Sequence, residues 1–295
     1  GATTTGQPFP NRTIPQSRWD PLGRKLLELF PQPNLAGRAA SGGRVIENYG
    51  AQRPGREDTH KFDVRTDWIP STSDRVFARA SFLQQDIFRD AIFEGLGDGV
   101  GNQGEQWNRN LALGTSWTRI LSSRMVNEVR LGFNYTDSRF AHATATGQNA
   151  ADFGFQGLPD PMLPTGGLPP IDFSNYNDLG TRNFRPQYQK PEQWQVLNTL
   201  TMALGRHSLR TGAEVRIKNN ELVDIVRRTP AYQMTGRYTG DDIGDLQLGL
   251  PFSLTATTVP VIEWNQQAYA AFVQDDWKIR NDLTLNLGLR YEYAT

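Results

Sequence analysis

The side chains able to do chemistry here are few, and their spacing does not suit it. The three histidines, His60, His142 and His207, have no second histidine one helical turn away and no flanking acidic ligand, the pattern a zinc site needs, so they read as ordinary surface residues. Asp241, Asp242 and Asp245 gather three carboxylates but lack the Asp-x-Asp-x-Asp-Gly spacing that wraps oxygens round calcium, and a plain acidic loop is expected. Asp275 and Asp276 are adjacent in an extended segment, so they point to opposite faces and cannot share one acid/base site. The run Gly95-Leu96-Gly97-Asp98-Gly99-Val100-Gly101 has the glycine density of a phosphate cradle. That chemistry needs a strand before and a helix after, whereas Asn102-Gln103-Gly104 follows, so a flexible loop is expected. Cysteine is absent, which removes thiol catalysis, Cys-ligated zinc and disulfides. No nucleophile elbow, Ser/His/Asp set or zincin motif occurs. With 31 basic and 31 acidic residues the net charge is zero, which gives no electrostatic case for nucleic acid. The expectation is a protein with no catalytic, cofactor-binding or metal-binding residues.

Charge is nevertheless placed with regularity. Arg65, Glu128, Arg130, Glu214, Arg216, Arg290 and Glu292 all stand at alternate positions within segments whose other positions are apolar. The clearest segment is 283–293: Leu283, Leu285, Leu287, Leu289, Tyr291 and Tyr293 fall on one face, with Thr284, Asn286, Gly288, Arg290 and Glu292 on the other. Its neighbour, 267–278, has Tyr269, Ala271, Val273 and Trp277 on its apolar face, and the short connection between the two is hairpin spacing. Three more pairs repeat the unit: 61–68 with 76–82, 107–118 with 125–137, and 193–204 with 208–218, joined through Pro70–Ser73, Ile120–Arg124 and Gly205–His207. Eight strands in four hairpins are predicted.

Between hairpins run long stretches, roughly 84–106, 138–192 and 219–264, rich in Gly, Pro, Asn and Asp. Structureless loops beyond ~15 residues are uncommon in a compact soluble domain. Alternating short turns and long loops are instead the asymmetry of a transmembrane barrel, with short turns at the periplasmic rim and long loops outside. No run reaches the ~18 apolar residues of a transmembrane helix, and the mean hydropathy of −0.56 would suit a soluble protein. Strands that meet lipid on one face only are apolar at alternate positions, so low hydropathy does not exclude a barrel.

Alternation alone does not choose between a sandwich, whose apolar face packs a core, and a barrel, whose apolar face meets lipid while charge lines the lumen. Trp68, Trp107, Trp117, Trp277, Tyr291 and Tyr293, at or near strand ends, match an interfacial girdle. The fold class expected is therefore all-β, an antiparallel up-and-down transmembrane β-barrel segment, with the seven alternating charges facing its lumen. Residues 1–58 lack alternation and read as an extracellular loop, with residues 59–295 as barrel strands and loops. Within the loop, Asp20 and Pro21 read as the N-cap and first position of an amphipathic helix that buries Leu22, Leu26, Leu29 and Phe30 and stops at Pro31.

The stretch from Tyr269 to Tyr293, Tyr-Ala-Ala-Phe-Val-Gln-Asp-Asp-Trp-Lys-Ile-Arg-Asn-Asp-Leu-Thr-Leu-Asn-Leu-Gly-Leu-Arg-Tyr-Glu-Tyr, resembles the barrel hairpin of TonB-dependent receptors, particularly the Oar-like group. Asn127–Asn134, Gly205–Glu214, Gly244–Pro251 and the head of the chain from Pro8 to Asn34 look like the same group, so the resemblance covers nearly the whole chain. It implies a barrel of about 22 strands closed round a plug in the bacterial outer membrane, energised through TonB and importing or exporting a large solute. The partners implied are outer-membrane lipid, a plug domain, the remaining barrel strands and, through the plug, the TonB complex. Neither a plug nor a TonB box is recognisable in the sequence, so the chain is expected to be an interior slice of such a barrel. A self-contained eight-stranded barrel and a secreted β-sandwich adhesion or carbohydrate-binding module are the alternatives. A barrel protease or lipase, which would need acidic or Ser/His residues converging at the outer rim, ranks below both.

Overall fold

Alternating apolar and polar side chains select extended chain because only the two-residue period puts each type on its own face. In the computed structural model, which describes residues 8–98, 103–143, 150–158, 167–182, 186–223, 230–256 and 261–295, the eight alternating segments form eight long strands. They are β1 (Gly55–Trp68), β2 (Asp74–Arg89), β3 (Gly104–Ser122), β4 (Met125–Phe140), β5 (Gln187–Leu204), β6 (His207–Val223), β7 (Ile262–Arg280) and β8 (Leu283–Ala294). The strands lie side by side in chain order, each antiparallel to the next, and β1 and β8 are the two edges of the sheet. The turns are short, down to two residues at Gly205–Arg206, where Gly205 has φ +63°, a left-handed conformation that a side chain disfavours.

The register carries the apolar positions across the whole sheet. Phe62 faces Phe82, Val76 faces Trp117, Trp117 faces Val129, Phe133 faces Trp194, Val196 faces Val215, Val215 faces Tyr269 and Tyr269 faces Tyr293. A one-residue slip at any pair would turn every apolar side chain of one strand to the wrong face. Two bulges, at Ile120/Ser122 and Lys278/Arg280, fall beside short turns.

The strands run longer than hydrophobic alternation predicts. Beyond the apolar band the same face turns polar, with Asp58 opposite Asp86, Arg109 opposite Asp137 and Lys190 opposite Glu221, while the pairing continues. Backbone hydrogen bonds extend the ladder there, and hydrophobicity does not mark it.

The apolar face carries no second layer. Phe62, Leu289 and Tyr291 expose 62%, 72% and 69% of their surface, and among the described residues Val223, the last residue of β6, is the sole apolar side chain of the eight strands that is buried. The hydrophobic core lies instead in the connections. The long loops, expected to be structureless, pack together with the N-terminal segment around Leu26, Phe93, Phe155, Leu168, Ile171, Phe173, Leu179, Met234 and Leu246. Ile171–Phe173 from one loop pairs in parallel with Ala231–Met234 from another, which pairs antiparallel with Ser253–Thr255. Here we call this assembly the cap.

Three short helices complete the cap: α1 (Pro21–Leu27), α2 (Ala150–Phe153) and α3 (Asp242–Gln247). Asp20 caps α1 as expected, accepting from the Gly23 amide at 2.7 Å. The helix stops at Leu27, four residues before Pro31, because Leu29 and Phe30 turn inward. The Phe30 ring meets Phe173 and Phe93 edge-on, with centroids 5.5 and 6.1 Å away. Gly23 is the point where α1 touches α3: a Cβ there would lie 2.1 Å from the Leu246 carbonyl oxygen.

Candidate functional site

The seven charges singled out by alternation stand on one face of the sheet, opposite the apolar face, as the register requires. Each is held by a partner two residues along its own strand, where side chains point the same way. Arg65 forms a bidentate pair with Asp67, both contacts 2.8 Å. Arg130 meets Glu128 at 3.0 Å, Arg216 meets Glu214, and Arg290 meets Glu292.

Glu214 joins the strands. It is 9% exposed and accepts from Gln195 Nε2 on β5 at 2.8 Å, from Arg216 on its own strand and from Arg290 Nη2 on β8 at 3.2 Å. Arg290 reaches it across β7, where the residue paired with Glu214 is Ala270, too small to intervene. Asp63 forms a second node, accepting from Arg79 Nη2 at 2.9 Å and Ser81 Oγ at 2.5 Å. These cross-strand partners were not singled out in the sequence because they depend on register between segments far apart in the chain.

In the cap, the acidic cluster is a structural element, where the sequence suggested a plain acidic loop. Asp241 caps α3 through the Ile243 amide at 2.9 Å, and Asp242 and Asp245 have no exposed surface. Asp242 accepts from the Asn175 backbone at 2.7 Å and its Nδ2 at 3.0 Å, and Asp245 from the Thr239 amide and hydroxyl, both at 2.9 Å. The carboxylates are thus committed to separate backbone donors, and the described residues contain no cluster able to hold a metal. Tyr176 donates to Asp241 at 3.0 Å; burial, reinforced by that carboxylate, pushes its phenol up to about 12. Burial likewise raises the Asp178 carboxyl, against the opposing hydrogen bond from the Phe173 amide.

A hollow of about 460 Å³ opens between α1, the α2 segment and the small sheet, walled by Leu22, Phe153, Phe155, Tyr232 and Met234 with Lys25 at its edge. Lys25 Nζ donates to the Phe153 carbonyl at 3.0 Å and lies 5.7 Å from that residue's ring centroid. Burial raises the Tyr232 phenol, and the aromatic walls of the hollow stand beside two ionisable side chains, exposed Lys25 and the α1 cap Asp20.

The remaining sequence candidates separate. His60 is exposed on β1 and His142 is buried at 4% exposure, not a surface residue. His207 bonds Asp275 at 2.6 Å and stacks on Trp277 at 5.3 Å, on the apolar face beside a short turn. Asp275 and Asp276 do point to opposite faces. In the glycine run Gly95–Gly97 forms a 3-10 turn whose Gly97 is buried, so this part is no free loop, while Gly99–Asn102 lie outside the described residues, as do residues 1–7.

An uncovered apolar face, a charged opposite face and an up-and-down order are the features of a membrane barrel wall. The family profile of the outer membrane beta barrel domain matches residues 1–295. The chain belongs to that family. It is an all-β, antiparallel outer-membrane barrel segment, and its place is the bacterial outer membrane. No curated protein sequence matches it. Among solved structures, the outer membrane transporter YddB from Escherichia coli is similar at 11% identity, covering 88% of this chain and 30% of its own, with a TM-score of 0.46. FpvA of P. aeruginosa, solved with heterologous pyoverdines, gives 13%, 82%, 31% and 0.47 for the same quantities. BauA, the ferric preacinetobactin receptor of Acinetobacter baumannii, gives 11%, 82%, 34% and 0.42. The outer-membrane segment thus spans about a third of the length of these structures.

Proposed function

We propose that the chain forms part of the wall and the extracellular cap of a TonB-dependent outer-membrane receptor, whose business is transport of a large solute and not catalysis. The observation that carries this reading is the reversal of burial: the sheet leaves its apolar face open, while the loops at one end build a core of their own. An open apolar face of eight strands suits lipid. A sandwich module would cover it, which weighs against the soluble alternative.

On this reading the charged face, with Arg65, Glu128, Arg130, Glu214, Arg216, Arg290 and Glu292, lines the lumen against a plug domain supplied with the remaining barrel strands by the parent chain. The cap, including the described N-terminal residues 8–54, lies outside, and its aromatic hollow beside Lys25 receives part of the solute. Energy reaches the plug through TonB.

Single cysteines test the placement cleanly in a chain that has none. In outer membranes of cells making the parent protein, Leu131→Cys should react with a lipid-soluble maleimide and resist a water-soluble one, and Arg130→Cys should do the reverse. Equal labelling of both by the water-soluble reagent would sink the wall assignment. Coupling is tested separately, by whether solute accumulation stops when the proton gradient is collapsed.

A further inference from the structure

The apolar face of the wall is not evenly covered. Across β1, β2 and β3 one row of the register is small, Thr66, Ala78 and Thr115, and Ala80 stands beside it in the next row. The flanking rows carry large groups, Trp68 and Trp117 toward the short turns, Phe133 and Trp194 away from them. Between them lies a hollow of about 420 Å³, bounded on one side by Leu131 and by the Phe133 and Trp194 rings, whose centroids are 4.4 Å apart.

The lining suits hydrocarbon. Thr115 spends its hydroxyl on the Phe77 carbonyl at 2.7 Å, and the Trp194 indole N–H donates to Glu192 at 2.9 Å, so both polar groups are already engaged by the chain itself. Arg79, next to the floor in sequence, belongs to the opposite face, where it binds Asp63 at 2.9 Å.

A charge stands at one end of the hollow. Arg119, four residues along β3 from Thr115 and on the same face, lies in the row Asp74, Arg119, Asn127. Its side chain is half exposed, and its Nε is 3.8 Å from Asp74, beyond hydrogen-bond reach. The Asp74 oxygens are engaged instead by Trp117 Nε1 at 2.9 Å and by the Ser71 hydroxyl at 2.7 Å. The guanidinium sits 5.9 Å from the Trp117 ring centroid, one row closer to the turns than the tryptophans that mark headgroup level. Four residues of strand span ~13 Å, or ~10 Å of depth when the strand is tilted by about 40°. The polar layer of one leaflet is roughly 5–8 Å thick. A phosphate at Arg119 therefore leaves the hollow among the acyl chains of the same leaflet.

We propose that Arg119 and this hollow form a seat for one glycerophospholipid of the inner leaflet, with its phosphate on the guanidinium and an acyl chain in the hollow. The inference rests on the reading of the apolar face as lipid-facing and of the short turns as periplasmic, and it goes beyond that reading. The rest of the face meets exchanging lipid, whereas here one molecule is retained. The occupant is argued from charge complementarity at one end, the apolar lining at the other and the depth that separates them.

Native mass spectrometry of the full parent protein, released from outer membranes in mild detergent, tests this. After detergent washing the protein should still carry one phospholipid. Ala78→Leu, which fills the floor, should cut the lipid-bound fraction by about tenfold. Arg119→Gln should cut it by about threefold, and Arg119→Lys, which keeps the charge, by less. Val273→Leu, on the same face of β7, should leave it within about twofold. Should Ala78→Leu not reach the membrane, the two Arg119 variants decide. No retained phospholipid, retention that these variants leave unchanged, an equal loss in Val273→Leu, lipopolysaccharide in place of phospholipid, or a pair of chains that Ala78→Leu separates would each overturn the seat while leaving the face in lipid. Failure of the lipid assignment itself would show separately, as labelling of Leu131→Cys by the water-soluble maleimide.

Discussion

The wall and the cap use the same kinds of apolar side chain in opposite ways. On the wall, Leu131, Trp194, Leu287 and Leu289 lie open, 47% to 72% exposed, and the sheet is held together by its ladder of backbone pairs and by cross-strand ion pairs. In the cap, Leu168, Leu179 and Leu246 are 0–1% exposed, and α1, α3 and the loop sheet enclose them without help from lipid. The wall needs a hydrophobic surrounding to satisfy its apolar face, and the cap supplies its own. The two regions should therefore fail independently, each through its own chemistry.

The largest separation should come from Leu246→Ala. It removes a fully enclosed side chain at the α1–α3 contact and should cost the cap ~2–5 kcal/mol. Hydrogen exchange in detergent should show cap amides losing protection while β3, β4 and β5 keep theirs. Loss of protection in both regions together would show that they fold as one unit. Conversely, Leu131→Arg puts a charge on the open face of the wall and should cost ~2–4 kcal/mol if that position sits near the bilayer midplane. Denaturant unfolding in lipid vesicles would measure it. A change near zero would mean the face meets water, and the comparison would collapse.

The two regions were also unequally legible in the sequence. The wall could be read strand by strand, since a two-residue period in 283–293 needs no tertiary context, and the short turns gave the neighbours. Its ends could not, because hydrophobic alternation stops where Lys190 and Glu221 take over the apolar face while the ladder continues. The cap stayed hidden: its core is assembled from single residues such as Leu26, Phe93, Ile171 and Met234, drawn from four segments with no shared period. Asp242 and Asp245 read as solvated for the same reason, their donors Asn175 and Thr239 being visible only once the loops are folded together. The charged face was half legible. The i, i+2 pairs follow from alternation, whereas the bridge from Arg290 to Glu214 depends on register and on Ala270 being small.

Asp242→Ala sharpens the comparison at a smaller scale. It removes the buried carboxyl that accepts from both the backbone amide and the side-chain amide of exposed Asn175, and ~1–3 kcal/mol of cap stability should go with these bonds. Asp242→Asn should cost less, because it keeps one acceptor oxygen for two donors. Limited proteolysis of the cap on intact cells would rank the three proteins. An Asn variant as sensitive as Ala would point to the charge, not the hydrogen bonds, as the stabilising feature.

The smallest effect is a pH dependence confined to the cap. Tyr176 has its phenol raised from 10.0 to about 12, so the folded state holds that proton more tightly than the unfolded chain. Its contribution is complete below about 10 and is lost as pH rises through about 12, when a phenolate would face Asp241 across the 3.0 Å contact. Asp178 obeys the same sign at the acid end. Its raised carboxyl favours the protonated folded state, so that contribution is present below the ordinary value of 3.8 and fades as pH climbs through the raised one. Both groups therefore make the cap lose stability with rising pH, Asp178 in a window that opens above 3.8 and Tyr176 in one that opens above 10.0. Tyr176→Phe should shrink the alkaline window to the share of Tyr232, whose phenol burial also raises, read as cap amide exchange against pH, and leave the exchange of β3 to β6 unmoved. If the wall shifted with it, the cap would be coupled to the strands that carry it.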